Sequence, residues 1–320
     1  MTNHRHAYLI MAHNEWSLLN VLLSLLDDER NDIYLHIDKK VKQMPELYQP
    51  KHSTLYYTPK RYDVRWGDVS QIHSEMELFK TAFQHGPYQY YHKLSGVDLP
   101  IKTQDYIHRF FDEHEGKEFI GFFDRTDYIK ADTERKRRRY YVLMRWNFRC
   151  PFEPRWKVVP AQIIRHILLM LQDITHFSRG NELTFRTGHN WVSLTENAVK
   201  YLIDKEAFIN KRFAHTSCGD EMYKHSLIIS NPELKKNIFD MEDEDIAEFQ
   251  VFAKRVAKAI KAAFPCKKVA QVVLGLEVPH AHIHLIPMQS EADVDFRKEH
   301  LKLEADEMKE IAEKILKEFK

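Results

Sequence analysis

Residues 7–40, AYLIMAHNEWSLLNVLLSLLDDERNDIYLHIDKK, decide the fold. Ala7 to Ala12 is an apolar run of the length of a buried strand. Trp16 to Leu26 carries Leu18, Leu19, Leu22, Leu23 and Leu26 at helical spacing. Asn31-Asp32 reads as a turn, and Ile33 to Ile37 as a second strand. A strand, a helix and a strand in this order predict a parallel pair joined by a right-handed crossover. Ligands of such sheets sit at the carboxyl ends of the strands. Those ends carry His13-Asn14-Glu15 and Asp38-Lys39-Lys40. No glycine-rich fingerprint follows the first strand, so a dinucleotide site of the usual kind is unsupported. The expected class is α/β, a Rossmann-like mixed sheet with flanking helices.

Outward from this unit the pattern continues. Val69 to Phe83 reads as a helix capped by Asp68 or Ser70, and Tyr88 to Leu94 as a strand ending in Ser95-Gly96-Val97-Asp98. Gln104 to His114 is helical and Glu118 to Phe123 extended. Arg135 to Arg139 is a basic run, whose default is a solvated face. Residues 140–160 read as an ordered aromatic excursion, and Pro160 to Gln172 as a helix. Leu183 to Arg186 reads as a short strand leading to Gly188-His189-Asn190-Trp191, and Thr195 to Ile203 as a helix. The character changes after Asn237, which divides the chain into residues 1–237 and 238–320. Met241 to Phe264 reads as one long charged helix with Phe249, Phe252, Val256 and Ile260 as its apolar stripe. Lys267 to Met288 reads as a strand with a bend at Pro279, and Leu303 to Phe319 as a closing helix.

The 320 residues are 43% hydrophobic, enough for a sizeable core. The formal net charge of +1 argues against nucleic acid as a partner. The three cysteines, Cys150, Cys218 and Cys266, show no paired spacing for zinc or a disulfide framework, which suits a reducing cytoplasm. The N-terminus has no signal-peptide pattern. Ile163 to Leu171 is too short and too interrupted to span a membrane. The expected location is the cytoplasm. Attachment to a membrane surface through this helix and its cations Arg155, Lys157 and Arg165 is the alternative.

Six segments taken together carry a resemblance: AYLIMAHNE (7–15), YLHIDKK (34–40), VRWGDVS (64–70), YHKLSGVDLPIK (91–102), GHNWVSL (188–194) and CGDE (218–221). In this order they resemble the core-2/I-branching β-1,6-N-acetylglucosaminyltransferase family. The resemblance implies a GT-A-like sheet and an inverting, metal-independent transfer of N-acetylglucosamine or xylose from a UDP-sugar to a saccharide. It implies donor contacts at His13, Asn14, Asp38, Ser95 and Asp98. Glu221 takes the family's place for the catalytic base; helix capping by this acidic segment is the structural alternative. Trp191 is a stacking platform for the acceptor or a core residue, and Arg138 and Arg139 are candidates for an acidic acceptor. No Asp-x-Asp follows any strand of residues 1–237, so no metal is expected. The family carries an arginine–lysine pair downstream of the acidic segment that neutralises the leaving UDP. Residues 238–320 do not match that stretch, so transfer is expected to be impaired.

Those residues resemble something else. His280-Ala281-His282-Ile283-His284 alternates histidine with apolar residues, a pattern that puts three imidazoles on one strand face. The string resembles the second half of the histidine-triad nucleotide hydrolases and transferases, an incomplete α+β segment. That resemblance implies His282 as nucleophile, His280 and His284 as flanking groups, and a purine nucleotide as partner. It defines a second reading, nucleotidyl chemistry through His282. A third is a non-catalytic fusion of two partial domains that self-associates through the exposed strand edge.

Overall fold

A computed structural model describes residues 4–123, 126–147, 149, 153–231, 243–273, 283–295 and 305–319. The chain forms two compact units, Met1–Ser230 and Asn231–Lys320. This division falls upstream of the expected junction at 237/238, and residues 232–242 lie outside the described ones.

The first unit is built on a six-stranded mixed sheet of order β3-β2-β1-β4-β6-β5. Strands β1 (His6–Ala12), β2 (Asn31–Ile37), β3 (Thr54–Tyr57) and β4 (Tyr90–Ser95) are parallel. Strand β6 (Gly188–Thr195) runs antiparallel between β4 and β5 (Phe119–Phe122). β1 and β2 pair from His6 with Asn31 to Ala12 with Ile37. Both are covered on both faces, which is why they read as continuous apolar runs. Helix α1 (Trp16–Leu25) sends Leu19, Leu22 and Leu23 into a core shared with Tyr8, Ile10, Ile33, Leu35 and Ile37. Helix α2 (Ser70–Phe83) packs on the sheet through Ile72, Met76, Leu78 and Phe79. The Asp68 carboxylate accepts from the Ser70 amide at 2.9 Å at the start of α2.

Several elements differ from expectation. Asn31 and Asp32 are not a turn; they begin β2, and their polar groups are answered inside the fold. The Asn31 amide donates to the Leu26 carbonyl at 3.0 Å, and Asp32 takes the Arg5 guanidinium at 2.6 Å. β3 has no counterpart in the sequence reading; it is a short edge strand with little burial to mark it. Residues 183–186 do not form a strand: the Thr184 and Arg186 amides donate to the side chains of Ser230 and Ser226 instead of a ladder. The strand lies in the next motif, at β6.

Helix α3 (Gln104–Asp112) is capped by Thr103, whose hydroxyl accepts from Tyr106. The basic run ends a helix, α4 (Asp127–Arg138), with Thr126 as cap. Asp127 in its first turn and the cations in its last suit the helix dipole. Helix α5 runs Arg155–Ile174, with Pro160 inside. Pro160 lies past the first turn, where it gives up one backbone hydrogen bond and crowds the carbonyl four residues back; α5 nonetheless begins ahead of the expected start at Pro160. Helices α6 (Glu196–Asp204), α7 (Glu206–Phe213) and α8 (Tyr223–Ser230) complete the unit, with Thr195 capping α6.

In the second unit, α9 (Asp243–Ala263) and α10 (Ala305–Glu318) accompany a two-stranded antiparallel sheet of β7 (Lys268–Val272) and β8 (His284–Met288). The single strand expected over 267–288 is therefore two strands, paired from Lys268 with Met288 to Val272 with His284. Each supplies the backbone partners that the other needs. Ile260 of the expected stripe is buried, whereas Phe252 is exposed and meets Phe319 edge-on at 5.8 Å.

Candidate active site

The carboxyl ends of β1 and β2 open into a cavity of about 350 Å³ lined by His13, His36, Asp38, Lys40, Arg65, Trp66, Gln71 and Arg149 among others. Its floor depends on close approach of the chain. The Asp38 amide donates to the Ala12 carbonyl and the Gly96 amide to that of Met11. A Cβ on Gly96 would lie 2.8 Å from the Ala12 methyl, so β4 can pass this close only with glycine there.

Asp38 is buried, and both its oxygens hold Lys40, one by the backbone amide at 2.8 Å and one by the ammonium at 2.6 Å. This fixes a cation at the cavity. Arg65 is braced by Asp63 at 2.8 Å and Glu153 at 2.7 Å. Arg149 stacks over the Trp66 ring at 4.0 Å. His36 accepts the Tyr62 amide at 2.9 Å, and burial lowers its pKa to about 4, so it lines the site as a neutral ring. His13 lines the cavity, and His13 and Asn14 are both exposed.

Ser95 and Asp98 lie at the end of β4. The Asp98 carboxylate accepts the Ser95 amide at 2.6 Å and the Trp191 indole N–H at 2.6 Å. Asp98 therefore braces Trp191 across the β4–β6 pair, and the indole is half-exposed. Lys93 approaches the same ring at 5.9 Å.

The acidic segment forms a single 3-10 turn, Gly219–Glu221, entered through Cys218 in the left-handed region at φ 50°. The Cys218 amide donates to the Gly67 carbonyl at 3.1 Å, tying the turn to the segment before α2. The two acids then diverge. Asp220 is buried and accepts from the Gln71 amide at 3.0 Å and the Asn190 amide at 3.1 Å. Burial, then the charge of Glu75, push its carboxyl up to about 6. Glu221 keeps 34% of its side chain exposed, with the Lys136 ammonium of α4 at 3.9 Å. Cys218, the residue that precedes the turn, caps it with no side-chain hydrogen bond.

Beneath the turn lies a buried ionic network. The Lys224 ammonium of α8, fully buried, reaches Glu75 at 2.6 Å, the Asn190 side-chain oxygen at 2.6 Å and the Asp220 carbonyl at 3.0 Å. Lys93 meets the other Glu75 oxygen at 2.8 Å, and the Tyr223 hydroxyl donates to Glu75 at 2.8 Å. Burial opposes the Glu75 charge, but the two ammoniums outweigh it and hold its pKa below the usual range. α2, β4, β6 and α8 thus converge on the turn that carries Glu221.

Sequence reading brought Asp38, Ser95, Asp98, Trp191 and Glu221 forward but not the groups that hold them. Lys40, Arg65 and Asn190 stood inside the quoted motifs as unexamined neighbours; Gln71, Glu75 and Lys224 carried no signal. Arg138 and Arg139 are both engaged by Asp173 of α5, at 3.1 Å and 2.9 Å. His284 lies on β8, while His280 and His282 fall outside the described residues.

A mixed α/β sheet with a strand-end cavity and an acidic turn beside it is consistent with a GT-A-like glycosyltransferase. The chain belongs to the core-2/I-branching enzyme family, whose sequence profile matches residues 6–244. The family implies glycosyl transfer of the N-acetylglucosaminyltransferase kind, from a nucleotide-sugar donor to a saccharide acceptor. The profile of the HIT domain matches residues 220–291, so residues 220–244 are shared by the two matches. No helix among the described residues is long and apolar enough to cross a membrane.

Proposed function

We propose that this protein is an inverting, metal-independent transferase that moves N-acetylglucosamine or xylose from a UDP-sugar to a saccharide, with Glu221 as general base. The observation that carries this reading is Gln71. It lines the strand-end cavity and at the same time donates to Asp220, the neighbour of Glu221. A donor in the cavity and an acceptor at the acidic turn would then share one rigid frame.

Lys40, Arg65 and Arg149 supply positive charge where a diphosphate would lie. Preorganised cations stabilise charge developing on a leaving group without solvent reorganisation. This set is our candidate for the role that the family gives to an arginine–lysine pair. In the step, Glu221 takes the proton of the acceptor hydroxyl as its oxygen bonds the anomeric carbon. The bond from that carbon to the diphosphate oxygen breaks, and its electron pair leaves with UDP. Attack opposite the leaving group inverts the anomeric centre. Calorimetry with UDP, in chelator and in manganese, tests the reading. Equal affinity in both is expected; strict dependence on manganese would overturn the metal-independent assignment.

A further inference from the structure

Helix α5 faces the wrong way for a helix of a water-soluble surface. Its buried residues, Val158, Ala161 and Arg165, share one side. The opposite side should be polar, yet Trp156, Val159, Ile163, Ile167, Met170 and Ile174 succeed one another there at spacings of three or four residues. Trp156 is 72% exposed, Ile163 55% and Ile174 66%. Ile164 and Leu171, also exposed, widen the apolar arc. The cations Arg155 and Lys157 stand at its two edges, with the Lys157 ammonium 5.1 Å from the Trp156 ring.

The helix is nonetheless anchored. The buried Arg165 donates to the Leu143 carbonyl at 3.0 Å, and Asp173 binds both Arg138 and Arg139 of the α4 end. The apolar face is therefore presented outward by a fixed element.

We propose that α5 docks the protein on an anionic lipid bilayer, lying in the plane of the interface. Charge selects this occupant. Residues 127–174 hold eleven lysines and arginines against five acids, in a chain whose formal net charge is +1. An apolar helix face within such a basic stretch is complementary to anionic headgroups above acyl chains. A second copy of the chain would bring two basic stretches together. The helix does not combine the length and hydropathy that crossing a membrane needs, which fits an in-plane position.

The test is flotation of the full-length chain with vesicles of equal parts phosphatidylcholine and phosphatidylglycerol, and with pure phosphatidylcholine vesicles. Binding to the anionic vesicles is expected, with weak binding to the neutral ones. The double variant Ile163→Glu, Ile167→Glu should lower partitioning by more than about tenfold. Both positions are exposed, so the melting curve of the variant should match the parent; Lys157→Glu serves as a milder second variant. Absence of binding to anionic vesicles, or binding that neither variant weakens, overturns the proposal. So does a dimer in sedimentation, without lipid, that the double variant dissociates; the face would then belong to a second copy.

Discussion

The Gln71 side chain donates to Asp220 across 3.0 Å, joining residues 149 positions apart. One end of this bond lines the strand-end cavity and the other fixes the acidic turn. Gln71→Leu removes a bond to a charged acceptor, about 1.5–3 kcal/mol, and leaves Asp220 short of a donor. We expect kcat for sugar transfer to fall by about ten- to a hundredfold, with a smaller change in donor affinity. Loss of donor affinity alone, with kcat kept, would reduce Gln71 to a cavity wall.

Glu221→Gln should abolish transfer while leaving UDP affinity nearly intact. Removal of a general base costs about a hundred- to ten-thousandfold in rate. The amide keeps the shape of the side chain, and Glu221 contributes no cap to the turn. Transfer persisting within a few-fold of the parent would place the base elsewhere.

Lys224→Met should destabilise the first unit strongly. It strands Glu75 in the interior with only Lys93 as counter-ion, and unpairing a buried ion costs about 3–5 kcal/mol. Chemical denaturation measures the loss. The double variant Lys224→Met, Glu75→Gln should recover part of it, because the orphaned charge is gone. Additive losses in the two would mean that the pair is not coupled.

Gly188→Ala should unfold or severely weaken the sheet edge. A methyl there would run into the Gly121 carbonyl and the His225 ring. The first is backbone of the neighbouring strand and cannot swing away, so overpacking exceeds the usual penalty of about 1–3 kcal/mol. Hydrogen exchange at the β5–β6 pair should rise in this variant. Parent-like protection would show that the strands can separate at no cost.

Acid should melt the first unit earlier than its carboxylates alone would predict. His6, His92 and His108 form a buried cluster, with His6 stacked on His108 at 3.9 Å and bonded to His92 at 3.1 Å. Burial lowers His6 and His225 from 6.5 to about 3, and lowers His92 and His108 as well. Unfolded, these rings take protons near 6.5, so the unfolded state binds more protons below that value. Their contribution is complete above about 6.5 and is lost as pH falls towards about 3. Asp220 works in the opposite sense, because its raised pKa favours the fold only below about 6. With Glu118, whose carboxyl burial also raises, it makes two groups against several, so the midpoint of denaturation should drop steadily from pH 7 to 4. A flat profile would show that the rings are accessible to protons in the folded protein.

The part of the fold legible in the sequence is the part written in hydropathy. The β1–α1–β2 unit emerges from uninterrupted apolar runs and leucines at helical spacing, and it places Asp38 at a strand end without further help. Elements whose stability comes from polar partners stay hidden. The basic end of α4 reads as a charge run, because the Thr126 cap and the pairing of Asp132 with Lys136 at 2.9 Å are visible only once folded. α8, YKHSLIIS, mixes lysine, histidine and serine with apolar residues, yet every residue from Tyr223 to Ile229 is buried. Hydropathy assigns such a segment to the surface; three-dimensional pairing puts it in the interior. The two strands in 268–288 read as one because Pro279 reads as a bend in a single strand, whereas β7 and β8 pair antiparallel.

The burial of α8 bears on how such a chain can change over generations. Its side chains complete the interior of the first unit from within. Substitutions inside 223–229 must therefore be exchanged in compatible sets, with Glu75, Asn190 and Ser226 drifting together or not at all. A crossover inside α8 would part Lys224 from Glu75 and Asn190, which makes this helix an unfavourable place for recombination.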